Sequence, residues 1–440
     1  MHGLTNMSLK SNISLSFVLQ VVNIIIGFVT SIFIARLLGA EGRGNYVLVT
    51  TSSLFLMQAL SFGIESSITY FVSSKQVHLR KLISTVFMCF LIICFFVATA
   101  VWIFSAYPSL KMVPADQTMY YVILFLLSVL YIANSFFSSL LNGIKEFKKV
   151  MFLTFLIQFL TFVAAAMFFF VWRQFVDAKI FLLSIVAINF LVLLVYLVYY
   201  KQLINILPAN NPMNFTELKR FLTYSSISFI CSLLQFLNYK MDFWIINFYY
   251  GNANLGVYSL SSTLAQLVWV LPQAIAFIMF PMSGYMQKEE LSQVTNRLCR
   301  ISVFLVMVAL PFACVIALLI PFLFGNEFSG SVLIFYFFLI GIVPYVLIKI
   351  IASVFAGTGR VIYNFYASLL GFLVALVLYF LLIPLWGLTG GAIASSVSYM
   401  STALVGIHLY VKKYGVKLKD LLWIQSNDLI KLFSLFREQK

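Results

Sequence analysis

The chain has 440 residues, of which 62% are hydrophobic and only 9% charged, with a formal net charge of +15. A soluble domain carries roughly a quarter charged residues, and the apolar runs here reach the ~20 residues that cross a bilayer, so a soluble class is excluded. The five cysteines lack CxxC spacing and the three histidines are scattered, which excludes a disulfide framework and a metal cluster and implies no cofactor.

Twelve apolar segments are predicted in chain order. Those of the first half cover about 13–37, 45–73, 82–106, 119–142, 150–172 and 179–200. Those of the second cover about 221–249, 255–285, 300–324, 331–356, 361–384 and 388–411. The first is too long for the apolar core of a signal peptide and no small-residue cleavage site follows it, so it is read as a retained span. No loop is large enough to form a domain. The expected fold class is an all-α membrane protein with two six-helix lobes, 1–200 and 221–411, a cytoplasmic linker at 201–220 and a tail at 412–440. In the tail, Leu429, Leu432, Phe433 and Phe436 recur at i, i+3, i+4, i+7 among basic residues, the pattern of a helix lying on the membrane surface; a partner-binding tail is the alternative.

Sidedness follows from lysine and arginine in the short loops. With the N-terminus inside, 21 basic residues fall on the inner side and five on the outer: Arg36, Arg43, Lys111, Arg173 and Lys179. Both termini are therefore expected in the cytoplasm. The positive charge is a topology signal spread over loops, and nucleic-acid binding is excluded as its cause.

The halves resemble each other. "GAEGRGNY" at 39–46 and "GNANLGVY" at 251–258 share G-x4-G-x-Y at an offset of 212, and Gly143 aligns with Gly357 at nearly the same offset. Six helices between copies keep the orientation, so a parallel repeat is expected. On the first helix Ser16, Gln20, Asn23, Gly27 and Thr30 share a face; 212 residues on stand Ser228, Ser232, Gln235, Tyr239 and Asp242. Such stripes avoid lipid. They fit either hydrogen bonding between helices or the two walls of a central cavity, the reading that equivalent stripes favour.

Three further charges lie within spans. Lys240 stands two residues from Asp242, on another side of the helix; it contacts a neighbouring helix, snorkels outward or reaches the substrate path. Lys349 follows Pro344 by five residues, and Glu65 lies in the second span. An ionisable group in such a place is paired, wet or neutral. Glu65 and Asp242 thus read as proton or cation carriers, with a structural pairing such as Glu65 with Lys349 as the alternative.

"SIFIARLLGAEGRGNYVLV" (31–49), "FGIESSITYFVSSK" (62–75), "MDFWIINFYYGNANLGVYSLSSTLAQ" (241–266), "FPMSG" (280–284) and "VFAGTGRVIYN" (354–364) resemble the O-antigen and capsule polysaccharide flippases. These form a branch of the multidrug/oligosaccharidyl-lipid/polysaccharide (MOP) exporter superfamily. The resemblance implies a bacterial inner-membrane protein that is not an enzyme. It implies transport of undecaprenyl-diphosphate-linked oligosaccharide to the outer leaflet by alternating access, with coupling to H+ or Na+, and polymerase or assembly proteins as partners beside the membrane lipids. On that reading Lys240, Lys349 and Arg36 serve the diphosphate, Gln20, Asn23, Gln235 and Tyr239 the glycan, and Asp242 and Glu65 the coupling ion. A cation-coupled drug exporter of the same superfamily is the nearest alternative. A multi-pass glycan polymerase or glycosyltransferase is a more distant one, because the outer loops are short and poor in charge.

Overall fold

The computed structural model describes residues 2–74, 79–114, 118–203, 213–284, 286–425 and 428, with side chains described except at 2–21, 80, 200–203, 227, 271, 277, 278 and 281. The described residues form helices and no strand. In order these are α1 (His2–Leu60), α2 (Ile64–Ser73), α3 (Leu79–Ala106), α4 (Thr118–Gly143), α5 (Phe147–Phe170), α6 (Ala178–Leu203) and α7 (Phe215–Gln266). They continue as α8 (Val270–Met282), α9 (Lys288–Ala317), α10 (Ile320–Phe324), α11 (Ser331–Gly357), α12 (Val361–Tyr414) and α13 (Lys419–Leu422).

Among the described residues nine helices are long and apolar enough to cross a membrane. Three of them, Val22–Leu60, Phe215–Trp269 and Val361–Tyr414, run for 39, 55 and 54 residues, whereas one crossing takes about 20. Each breaks at a glycine: Gly39 (φ 65°, ψ −174°), Gly251 (φ 79°, ψ 178°) and Gly387 (φ 60°, ψ −138°). The first two angle pairs belong to a region that side chains with a Cβ essentially never enter. These two glycines begin the G-x4-G-x-Y motifs, so two sequence positions 212 apart share one backbone conformation.

The segments after these two bends touch. A methyl group at Gly44 would collide with the carbonyl of Asn252, and one at Gly256 with the carbonyl of Ala40. Shifting by 212 carries Ala40 to Asn252 and Gly44 to Gly256, so each contact is the image of the other. Across the first bend the buried Arg43 reaches back to Ser31, its Nη1 donating to the hydroxyl at 3.1 Å and to the carbonyl at 3.5 Å. Arg43 thus ties the corner and is enclosed, although the sequence places it in a loop.

The chain divides into two compact units, 1–236 with 250–256, and 237–249 with 257–440. In the first unit α4 is the most enclosed span, and its alternate turns carry Ile123, Leu124, Leu127, Ile132 and Phe136 into the core. Gly143 at its end packs on Thr69 and Val72 of α2. In the second unit the enclosed span is α11, whose Gly357 packs on Phe280 and Ser283. Large side chains such as Phe95, Phe170 and Phe312 point outward. Lipid is as apolar as they are, so helix association rests on close packing rather than on a hydrophobic gain.

The start of α7 is closed by a capping box: Glu217 N–H donates to Asn214 Oδ1 (2.8 Å), and Asn214 N–H to Glu217 Oε2 (3.0 Å). Beyond α12 the tail turns at Gly415 (φ 69°) and docks on α9. Arg300 donates to both carboxylate oxygens of Asp428 (2.6 and 2.8 Å) and to the Asp420 carbonyl (2.7 Å), and Leu421 is buried beside it. The expected amphipathic positions 429, 432, 433 and 436 lie outside the described residues.

Candidate functional site

Lys349 is the centre of the second unit's polar interior. It lies one turn after Tyr345 on α11, facing Tyr239 from α7 and Trp269 from the short turn between α7 and α8, and Tyr399 from α12 packs against those same rings. Its ammonium stands 4.7 Å from the Trp269 ring, 5.1 Å from Tyr239 and 5.5 Å from Tyr345. It donates to Tyr239 Oη at 3.1 Å, and the Tyr239 and Tyr345 hydroxyls share a 2.7 Å hydrogen bond. A protonated lysine has no lone pair, so Tyr239 accepts from it, while either hydroxyl can donate in the Tyr239–Tyr345 bond. Lys349 makes no ion pair among the described residues, and its other two N–H groups meet no acceptor there. Three ring faces, each contributing about 0.5–2 kcal/mol to a cation, therefore hold a positive charge that makes no ion pair among the described residues.

Asp242, one turn beyond Tyr239 on α7, has the opposite setting. It is 1% exposed, enclosed between the two limbs of α7 and α12 rather than presented on an open wall as the stripe implied. Tyr258 donates to Oδ2 at 2.6 Å and Ser395 at 3.2 Å, while Tyr379 lies 3.0 Å from Ser395. Oδ1 is buried with no hydrogen-bond partner among the described residues. Hydroxyl donors converge on one oxygen and leave the other bare, an arrangement that a proton on Oδ1, or a small cation beside it, completes.

Lys240 lies along its own helix, its ammonium 4.3 Å from the Phe243 ring. Arg36, Asn23, Glu65 and Gln235 belong to the first unit. Arg36 is exposed and its carbonyl accepts from Arg173 (3.4 Å). Asn23 Oδ1 and Glu65 Oε2 are buried without a hydrogen-bond partner among the described residues, and Glu65 makes no ion pair there. Gln235 is exposed, and the Gln20 side chain lies outside the described residues. Of the second stripe, Ser228 and Ser232 bond to Ser66 and Gln58 (both 2.7 Å), the packing use of small polar groups. Trp269, Tyr345, Tyr399, Tyr258, Tyr379 and Ser395 were missed. The i, i+4 spacing of Tyr345 and Lys349, and the place of Tyr258 at the end of the second G-x4-G-x-Y motif, could have signalled two of them; Trp269, Tyr379, Tyr399 and Ser395 meet their partners across long stretches of chain.

A model of the family described as "Polysaccharide biosynthesis protein" matches residues 33–333. Among solved structures, the lipid II flippase MurJ in an inward closed conformation superposes with a TM-score of 0.71 at 16% identity, covering 97% of this chain and 93% of that one. The MATE multidrug transporter DinF-BH gives 0.66 at 15% identity over 95% and 96%. A mutant of the Vibrio cholerae MATE transporter VcmN gives 0.61 at 16% identity over 93% and 97%. At these identities the likeness is one of fold. No curated protein matches the chain.

Proposed function

Because the chain belongs to the polysaccharide biosynthesis protein family, we propose that it moves a lipid-linked oligosaccharide across the membrane. The cargo on this reading is an undecaprenyl-diphosphate-linked O-antigen or capsule repeat unit. It travels from the cytoplasmic to the outer leaflet of a bacterial inner membrane by alternating access of two six-helix lobes, with both termini cytoplasmic. The observation that carries the reading is Lys349, a cation held by rings rather than by a counter-ion. A diphosphate in low dielectric needs a positive charge that is not already paired. Tyr239 holds the ammonium and offers a ring edge to sugar, while Lys240 and Arg36 serve as further cationic steps. Asp242 and Glu65, each with a buried bare oxygen, are the places for a coupling proton or Na+. Drug export by the same fold fits less well, because an ammonium already fills the ring cluster that a cationic drug would use.

The test is a leaflet-accessibility assay on lipid-linked oligosaccharide in cells carrying variants of matched abundance. Lys349→Ala is expected to slow transport about 10–100-fold, the scale of a lost charge-assisted hydrogen bond. Lys349→Arg should retain more, since the charge persists in a different shape. Unchanged transport in Lys349→Ala would remove the phosphate reading. Arrest of precursor synthesis in a deletion strain would instead point to an enzyme.

A further inference from the structure

The first unit carries a second feature that the reading above does not use: an apolar cavity of about 490 Å³ between α3, α4 and α6. Its shape follows from helical spacing. α3 supplies Ile83, Val86, Phe87 and Phe90, the i, i+3, i+4, i+7 stripe of one face. α4 supplies Ala133, Phe136, Phe137 and Leu140 at the same spacing. Two such stripes normally interdigitate; here they meet at their edge, with the Phe90 and Phe136 rings 6.4 Å apart, and leave a groove. Leu193 and Leu197 of α6, one turn apart, close the other side. Val86, Ala133, Phe136 and Leu140 are buried as the floor, while Phe87 and Leu197 are exposed at the rim. Seven residues of helical rise make the groove about 10 Å long, some two-thirds of one leaflet's ~15 Å of hydrocarbon.

One end of the groove is polar and basic. α3 begins, and α4 and α6 end, on the same side, and the turn after α4 carries Lys145, Lys148 and Lys149. Lys149 stands 5.3 Å over the ring of Tyr199, two residues beyond Leu197. Glu146 at 3.6 Å compensates Lys149, and Glu217 at 3.9 Å compensates Lys81 at the start of α3. Lys145 and Lys148 are exposed and make no ion pair among the described residues.

We infer that this groove is a binding site for an anionic phospholipid, with an acyl chain along the α3, α4 and α6 stripes and the phosphate at Lys145 and Lys148. Chemistry at both ends supports this occupant. The lining offers no hydrogen-bonding side chain, so hydrocarbon suits it. Basic clusters at the membrane surface between spans select phosphate-bearing headgroups. The site goes beyond the transport reading and does not depend on it.

The test is native mass spectrometry of the full chain in detergent, with phosphatidylglycerol, phosphatidylcholine and undecaprenyl phosphate supplied in equal amounts. Phosphatidylglycerol is expected to be retained about 30-fold over phosphatidylcholine, the order that two lysines beside a net negative headgroup give. Lys145→Glu combined with Lys148→Glu should abolish that preference. Ala133→Phe, which fills the floor, should lower retention of both phospholipids. Where that variant does not fold, Leu197→Trp at the exposed rim decides in the same direction. Equal retention of the two phospholipids, displacement of phosphatidylglycerol by undecaprenyl phosphate, or indifference to the filling variants would each overturn the site.

Discussion

Lys349 and Asp242 are charges inside spans that the fold treats in opposite ways. The lysine keeps a neutral, polarisable shell of rings, and the aspartate is closed in among hydroxyl groups. Their partners define what substitution should do. Tyr239→Phe removes the acceptor at 3.1 Å but keeps the ring; transport should fall about 10–100-fold while the fold persists, since one hydrogen bond to a charged group is worth about 1.5–3 kcal/mol. Asp242→Asn keeps the size and removes the charge. If the site carries the coupling ion, transport in that variant should fall and lose its dependence on pH or Na+, as flux measured across stepped gradients would reveal. Retained ion dependence together with lower thermal stability would reduce Asp242 to a packing role. Both residues were readable in the sequence as isolated charges in apolar runs. Their surroundings were not, because Asp242 and Ser395 lie 153 positions apart and Tyr239 and Lys349 lie 110 apart. Periodicity along one helix carries no record of which helix stands opposite.

At the level of the helix, the bends at Gly39 and Gly251 were legible as breaks between apolar runs, and the glycine motifs located them. What the sequence concealed is that helix continues almost without interruption on both sides, so that α1, α7 and α12 each span two apolar runs. A single residue in a glycine-only conformation is enough to redirect the chain while its neighbours keep helical hydrogen bonds. Gly251 has open space around its Cα, so Gly251→Ala tests conformation alone. It should destabilise by about 1–3 kcal/mol, measured as a lower thermal midpoint in detergent. Gly44→Ala has the opposite cause, a collision with the Asn252 carbonyl, and should also loosen the 40–46 and 252–258 segments in hydrogen exchange. A Gly251→Ala protein as stable as the parent would mean that the bend is not strained.

For the whole molecule, the orientation expected from charge can be read by labelling. Cysteines replacing Glu41, Lys111 or Asn326 should react with an impermeant thiol reagent from outside, and those replacing Phe147 or Glu290 should not; the reverse pattern overturns the orientation. The docked tail supplies a pH test. The hydrogen bonds from Arg300 hold the Asp428 carboxyl below its ordinary range. The clamp's contribution is therefore complete above the ordinary aspartate value near ~4 and is lost as pH falls through the lower value of the folded state. Proteolysis between Gly415 and Asp428 should stay slow at neutral pH and accelerate only under strongly acid conditions. Asp428→Ala, which strands a buried guanidinium, should accelerate it at neutral pH, with a cost of about 3–5 kcal/mol, and remove the acid-induced step. The sequence marked this tail as basic and amphipathic, yet Arg300 was counted as one more loop charge, since nothing local distinguishes a buried arginine from an exposed one.

The clamp also has a consequence in time. Arg300 precedes Asp428 by 128 residues, which a ribosome adding about 5–20 residues per second takes roughly 6–26 s to make. For that interval the guanidinium of α9 is already at the membrane with the carboxylate that will receive it still unmade. It must wait hydrated, or in the keeping of an insertion factor. The second unit can then reach its final form only after the polypeptide has grown past its last long helix, so a ribosome that stalls after Tyr414 and before Asp428 leaves a chain with its long helices complete and this arginine without its carboxylate.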